Sequence, residues 1–235
     1  MNAERRINAL VDEELDVLAE LVPIAGRDIV ELGCGAAKLA RTLLERHPDC
    51  RVTGLEVDER QHAKNLTSPQ PGLHFVAGGA QSIPFPDASF DVALMLKSLH
   101  HVPMPLLTQA LGEVARVLRP LGHLYVSEPV YGGPLNDVIR RFNDEGVVRA
   151  AAQTAVDAAI RSGSWEQVAE RFFEMPVSFK DFADFEQRMM RPTFADHRID
   201  DAKLAEVGKA FAPHVRSDGA HFTRPMHVRV LRKRA

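Results

Sequence analysis

Between residues 28 and 128 the chain alternates short apolar runs with helix-patterned stretches, and this rhythm limits the fold more than any single residue does. The apolar runs stand at 28–32 (DIVEL), 51–57 (RVTGLEV), 73–77 (LHFVA), 91–96 (DVALML) and 123–128 (HLYVSE), with helical patterns at 36–46, 59–66 and 106–118. Strands separated by helices are joined by right-handed crossovers, which place helices on both faces of a parallel sheet. The expected class is a doubly wound α/β fold.

The rhythm changes after Glu128. Gly132, Gly133, Pro134 and Gly163 break the pattern around an Ala-rich helical stretch at 147–161, so residues 132–175 are expected as a helical lid insertion over the carboxyl edge of the sheet. "MPVSFKDF" is then expected as a sixth strand, residues 200–211 as a helix, and "PMHVRVLRK" as a last strand reached by an antiparallel return. Ahead of the first strand, Leu10, Leu15, Leu18, Leu21 and Val22 recur at three- and four-residue steps, which predicts a helix over 4–21 ending near Pro23. The expected organisation is one domain over 1–235, made of an N-terminal helix (1–22), a cofactor-binding core (23–131), the lid (132–175) and a closing segment that completes the sheet (176–235).

Composition narrows the partners. A chain of 235 residues, 45% hydrophobic and 26% charged, suffices for one large domain. A net charge of −3 gives no long-range attraction for a polyanion, so no nucleic-acid partner is expected. No run approaches 18 apolar residues, and the N-terminus lacks a signal-like apolar core, so neither a membrane partner nor export is expected. Cys34 and Cys50 have no paired spacing, which fits a reducing cytoplasm without a metal knuckle or disulfide framework.

The segment Gly33-Cys34-Gly35-Ala36-Ala37-Lys38 follows the first apolar run. Glycines at such a turn let the backbone approach a ligand, because no Cβ stands in the way and positive φ is tolerated. The first two glycines of the dinucleotide fingerprint are present, but Lys38 stands at the third, so a pyrophosphate cradle is disfavoured. Glu56 ends the second apolar run, where an acid accepts both ribose hydroxyls in dinucleotide enzymes and in other adenosine binders alike. These residues predict an adenosine ligand and leave its remainder open.

Two further stretches, "HFVAGGAQSIPFPDASFDVALMLKSLHHV" and "ALGEVARVLRPLGHLYVSEP", together with "VELGCG" and "GLEVD", supply five motifs in order over roughly residues 28–129. In these the chain resembles the class I S-adenosylmethionine-dependent methyltransferases, in their small-molecule, type 11-like branch. The resemblance implies a Rossmann-like, mostly parallel seven-stranded sheet with its last strand antiparallel, and S-adenosylmethionine lying across the carboxyl ends of the first strands. It places Gly33 and Gly35 along the methionine and ribose side, Cys34 between them as a small packing residue, and Glu31 beneath the turn. Glu56, followed by Val57, is to hold the ribose. Gly79, Ala80 and Gln81 match the adenine segment, and Lys97 with Ser98 would offer backbone groups to the methionine ammonium. Two positions depart from the pattern: Gly79 stands where an Asp usually accepts the adenine amino proton, and Leu121 replaces the first glycine of a Pro-Gly-Gly turn. Gln81 or a carbonyl could replace the lost acceptor at a cost of about 1 kcal/mol.

A sulfonium donor carries an activated methyl group, so the protein's expected task is to align an acceptor and exclude water, with a base needed only if the acceptor must lose a proton. His100, His101 and Tyr131 are the candidates for that base. Adjacent histidines point in different directions and show no carboxylate at ligand spacing, so a structural or cofactor-lining role competes with catalysis and no metal site is expected. Arg140, Arg141, Arg149 and Arg161 read as a solvated helix face, and Trp165, Phe172 and Phe173 as lid packing. The expected reaction is methyl transfer to a small-molecule acceptor. The alternatives are a cofactor-binding module without transfer, an NAD-type oxidoreductase, which lacks a Tyr-x-x-x-Lys pair here, and an RNA methyltransferase, which the acidic balance disfavours.

Overall fold

The computed structural model describes residues 9–192 and 197–234. A helix α1 (Glu14–Leu21) leads into β1 (Asp28–Leu32), α2 (Lys38–Arg46), β2 (Arg51–Glu56), α3 (Glu59–Leu66), β3 (Leu73–Ala77), β4 (Phe90–Leu96), α4 (Leu107–Val117) and β5 (Leu118–Pro129). There follow α5 (Pro134–Ile139), α6 (Gly146–Arg161), β6 (Trp165–Phe179), α7 (Phe182–Phe185), α8 (Asp201–Phe211), β7 (Val215–Arg216) and β8 (Gly219–Lys233). The sheet order is β3-β2-β1-β4-β5-β8-β6, with the two-residue β7 beside β8. The chain divides into two compact units. The first holds Glu13–Glu128, Val148–Arg171 and His227–Ala235; the second holds Met1–Asp12, Pro129–Val147 and Phe172–Met226.

In the first unit β1 pairs in parallel with β2 and β4, β2 with β3, and β4 with β5, as the crossover rule requires. β8 runs against its neighbours. Its His227, Arg229, Arg232 and Arg234 meet Glu170, Gln167, Glu166 and Ser164 in turn, so β6 recedes as β8 advances. Lys233 Nζ, near the end of β8, donates to the Leu118 carbonyl at the start of β5. One sheet face, with Val30, Leu32, Ala93, Met95, Leu124 and Val126, packs against Leu107, Ala110, Leu111 and Val114 of α4 and against Ala152 and Val156 of α6. Each large aliphatic side chain so buried contributes roughly 1.5–3 kcal/mol. No described helix is long and apolar enough to cross a membrane.

The second unit has its own core. Phe179, Phe185, Phe211 and Phe222 meet at centroid distances of 4.9 to 6.1 Å, mostly edge-to-face or tilted, with Leu135, Val138 and Val207 around them. Asp181 and Asp200 cap α7 and α8 by accepting the Asp184 and Lys203 amides.

Several expected boundaries are corrected. Of the helix expected over 4–21, residues up to 8 lie outside the described ones and only Glu14–Leu21 is helical. The reason is a backbone alternative: the Ala9 carbonyl accepts the Glu174 amide at 2.9 Å and the Val11 amide donates to the Glu174 carbonyl at 2.8 Å, so this segment pairs as a strand would. The helical stretch expected to reach 175 gives way at Trp165, where β6 begins, so the sixth strand starts ten residues before "MPVSFKDF". Trp165 is a core residue of the first unit, 1% exposed, and not lid packing. β8 begins at Gly219, ahead of the expected 225, and the two-residue β7 makes it the eighth strand in sequence. β5 opens at Leu118, which pairs with Phe90; the next in-register pair is Val92 with His123, so Arg119–Gly122 bulges out of the ladder.

Candidate active site

The carboxyl ends of β1, β2, β4 and β5 bring the candidate residues of the first unit together. After β1 the chain turns sharply: Gly33, Gly35 and Ala37 all have left-handed φ, at +71°, +53° and +52°. At Gly33 a side chain is sterically barred as well, because a Cβ would lie 2.9 Å from Ser98 Cβ. Both the Gly33 and Cys34 amides donate to the Leu55 carbonyl at 2.9 Å, which ties the turn to β2. A Cβ on Gly35 would meet nothing within 4 Å, so the turn opens toward unfilled space there. Cys34 does pack, its sulfur filling the place a side chain on Gly54 would take, and burial pushes its thiol pKa up.

Glu56 is nearly buried and fastens the turn from the other side. Its Oε2 accepts the Gly35 amide at 2.7 Å and its Oε1 accepts the Asp58 amide at 2.8 Å. Each carboxylate oxygen keeps a second lone pair for another donor. Val57 follows with 65% of its surface exposed, an apolar face at the strand end. Asn65 on α3, which the sequence gave no reason to single out, is buried and donates to the Gly35 carbonyl at 2.7 Å.

After β3, Gly79 has no left-handed φ and its carbonyl accepts the Ser82 amide, closing a tight turn over Ala80 and Gln81. A Cβ on Gly79 would lie 2.6 Å from Gln81 Oε1 and 2.8 Å from its Nε2. The Gln81 carboxamide therefore occupies the space beside Gly79 that an acidic side chain would enter.

A buried polar cluster lies on the sheet face opposite α4. Glu31, Leu94 and Tyr125 share one register level across β1, β4 and β5, so their side chains leave the sheet on the same side; Ser127 follows two residues on. Among the described residues, six buried side-chain polar atoms have no hydrogen-bond partner, and four belong here: Glu31 Oε2, Glu14 Oε1, Tyr125 Oη and Ser127 Oγ. Leaving such groups unpaired costs roughly 1–3 kcal/mol each, more for a charge, so these atoms call for water or another polar partner. Glu14 arrives from α1 and its Oε2 takes Lys97 Nζ at 2.8 Å. Lys97 itself holds a left-handed φ of +57° at the end of β4, strain of a kind found at functional sites. Burial pushes the Glu31 carboxyl up to about 8, with Lys97 opposing and Glu14 and Glu56 adding to the shift. Ser98 Oγ donates to the Leu32 carbonyl at 2.7 Å, holding the β4 loop against the glycine turn.

His100 has the carboxylate partner that sequence spacing did not show. Its Nδ1 is paired with Glu128 Oε2, both side chains are buried, and Glu128 Oε1 accepts the Leu99 amide at 2.9 Å. His101, whose ring centroid lies 4.1 Å from that of His100 with the planes tilted by 41°, is exposed. Tyr131 lies in the second unit, where its hydroxyl donates to Asp144 at 2.9 Å. Arg140 and Arg141 are exposed and ion-paired with Asp137 and Glu206, as a solvated helix face.

A doubly wound sheet with a glycine turn after β1 and an acid ending β2 is an arrangement common among nucleotide-binding α/β folds. Residues 30–126 match the family model described as a methyltransferase domain. The chain is 35% identical over 150 residues to a phthiotriol/phenolphthiotriol dimycocerosates methyltransferase of Mycobacterium ulcerans, covering 54% of this chain and 51% of that one. It is 31% identical over 184 residues to the 27-O-demethylrifamycin SV methyltransferase of Amycolatopsis mediterranei, covering 67% of this chain and 66% of that one. The chain thus spans about half the length of the first relative. Among solved structures it is similar to the YcgJ protein of Bacillus subtilis, with a TM-score of 0.64 at 16% identity over 94% of this chain and 98% of that one, a likeness of fold. Residues 30–126 thus match the methyltransferase domain family, on a fold shared with the YcgJ protein.

Proposed function

We propose that the chain transfers a methyl group from S-adenosylmethionine to a hydroxyl of a small molecule. The observation that carries this reading is the pairing of an open glycine turn with buried, unpartnered oxygens on the carboxyl edge of the sheet. The donor set fits the cofactor's parts. Glu56 has a lone pair on each oxygen for the two ribose hydroxyls, Val57 offers an apolar surface and Gln81 a carboxamide to the adenine, and the Gly33–Gly35 turn leaves room for the ribose and sulfur. Glu31 and Glu14 supply acceptors for the ammonium. When bound, S-adenosylmethionine supplies a methyl group made electrophilic by its sulfonium.

The protein's share is alignment and proton handling. Glu128 orients the His100 ring through Nδ1, and we assign this ring as the base that takes the proton of an acceptor hydroxyl. Both relatives are named as methyltransferases of small molecules, one of them by an O-methyl position. The two buried free thiols support a reducing compartment.

Native mass spectrometry of the full chain with S-adenosylmethionine, S-adenosylhomocysteine and NAD tests the cofactor reading, with one-to-one adducts expected for the first two. Labelled methyl transfer to a panel of phenol and polyol acceptors tests the second half. An adduct with NAD alone would overturn the assignment.

A further inference from the structure

At the amino edge of the first unit's sheet, three guanidinium groups share two carboxylates. Asp28, which opens β1, accepts Arg51 Nε at 2.6 Å and Arg119 Nη2 at 3.0 Å. Asp91, near the start of β4, holds Arg119 Nη1 at 2.7 Å and accepts the Asp28 amide at 2.9 Å, both on Oδ2. Arg27 comes no closer to Asp91 than 3.8 Å, beyond hydrogen-bond distance, with 46% of its side chain exposed. Asp49 lies beside Gly26 but forms no ion pair with Arg27 among the described residues, and nearby Arg232 is already paired with Glu166 at 2.7 Å. The surplus positive charge of this edge therefore sits on Arg27.

Arg27 opens onto a cavity of about 170 Å³ beside the Arg119–Gly122 bulge, small next to the roughly 300–1,000 Å³ of sites for drug-sized ligands. Pro23 and Leu121 give it apolar walls, and His123 lines it from β5. Burial first, then the charges of Arg232 and Arg27, hold the half-buried His123 ring below the usual histidine range, so it is neutral at neutral pH and keeps one N–H to donate.

We propose that this cavity binds a small monocarboxylate with an apolar body, the carboxylate bidentate on Arg27 and accepting from His123, the body against Pro23 and Leu121. A guanidinium fork matches the two oxygens of a carboxylate. One negative charge completes the count of three guanidinium groups, whereas a phosphate dianion would exceed it beside Asp91 and Asp28. The cavity lies at the far end of the strands from the glycine turn: His123 pairs with Val92, four residues before the Leu96–Ser127 pair, roughly 13 Å along the sheet. Its occupant is thus neither the methyl donor nor the acceptor.

Titration of the full chain with benzoate, followed by calorimetry and by nitrogen–proton correlation NMR, tests the site, with benzamide and inorganic phosphate as the other arms. Benzoate should saturate at one per chain and shift the Gly122 and His123 amides, while benzamide and phosphate bind about tenfold more weakly or worse, for want of a matching charge. Arg27→Gln should weaken benzoate about tenfold or more. Leu121→Asp, an exchange at an exposed position whose left-handed φ Asp tolerates, should weaken it too by placing a like charge at the wall. Thermal melts confirm that both variants fold. Saturating S-adenosylhomocysteine should leave benzoate affinity within about twofold, as expected of separate sites. No saturable benzoate binding, equal binding of benzamide, tighter binding of phosphate, unchanged benzoate affinity in either folded variant, or displacement by S-adenosylhomocysteine would overturn the site.

Discussion

Glu56 Oε2 accepts the Gly35 amide at 2.7 Å, so the acid that ends β2 and the glycine turn that follows β1 are fastened to each other before any ligand binds. With Oε1 on the Asp58 amide, the same carboxylate also secures the start of α3. Sequence alone places Glu56 at a strand end and reads it toward a ligand; the structure adds this structural duty. Glu56→Ala should lower stability by roughly 2–4 kcal/mol, at about 1.5–3 kcal/mol per hydrogen bond to a charged group less what entering water restores. Urea unfolding measures it; an unchanged midpoint would mean these two bonds do not hold the turn.

Leu121 stands in the Arg119–Gly122 bulge with φ at +64° and 57% of its surface exposed. A left-handed conformation costs an L-residue about 1–2 kcal/mol, and glycine avoids this while giving back about 0.5–1 kcal/mol in unfolded-state entropy. Leu121→Gly should therefore raise stability by up to about 1 kcal/mol. Chemical denaturation reads the sign directly, and a loss of stability would show that the exposed leucine packs in a way that outweighs its backbone strain.

Glu31 gives the ligand-free protein a pH dependence of the opposite sense to that of a salt-bridged acid. Its folded pKa of about 8 lies above the ordinary 4.5, so its stabilising contribution is complete below 4.5 and is lost as pH rises through 8. Glu31→Gln should gain stability relative to wild type as pH rises from 5 to 8.5. Unfolding curves for both proteins at those two pH values suffice; a difference that does not change with pH would place Glu31 in a wetter environment than this.

The buried pair of His100 and Glu128 should govern turnover and not cofactor affinity. His100→Asn should cut kcat on a hydroxyl acceptor by about 10²–10⁴ while S-adenosylhomocysteine affinity stays within about twofold. Glu128→Gln should lower kcat less, because it perturbs the ring without removing it. Full turnover in both variants would assign the pair a packing role.

What was legible in the sequence was local. The strand runs 28–32 and 73–77 and the helix 59–66 match their observed bounds because their pattern completes itself within one element. β6 was missed at Trp165 because "WEQVAERFF" carries charges at helical steps, and its backbone partners come from β8, more than fifty residues away. The glycine turn and Glu56 could be placed because a left-handed backbone and a strand-end acid leave marks in sequence. Asn65, Glu14 and Tyr125 left none. They reach the site through helix placement and sheet register, and Glu128 meets His100 from 28 residues along the chain.

The central claim is that the carboxyl edge of this sheet binds an adenosine carrying an amino acid, with Glu56 on the ribose. Calorimetric titration of wild type and Glu56→Gln with S-adenosylhomocysteine and with NAD, beside thermal melts, tests it most directly. Micromolar S-adenosylhomocysteine binding, no heat with NAD, and at least tenfold weaker binding in a Glu56→Gln protein that still melts cooperatively, a loss of about 1.4 kcal/mol or more, are the predicted results. Equal S-adenosylhomocysteine affinity in the two proteins, or binding of NAD in its place, would contradict it.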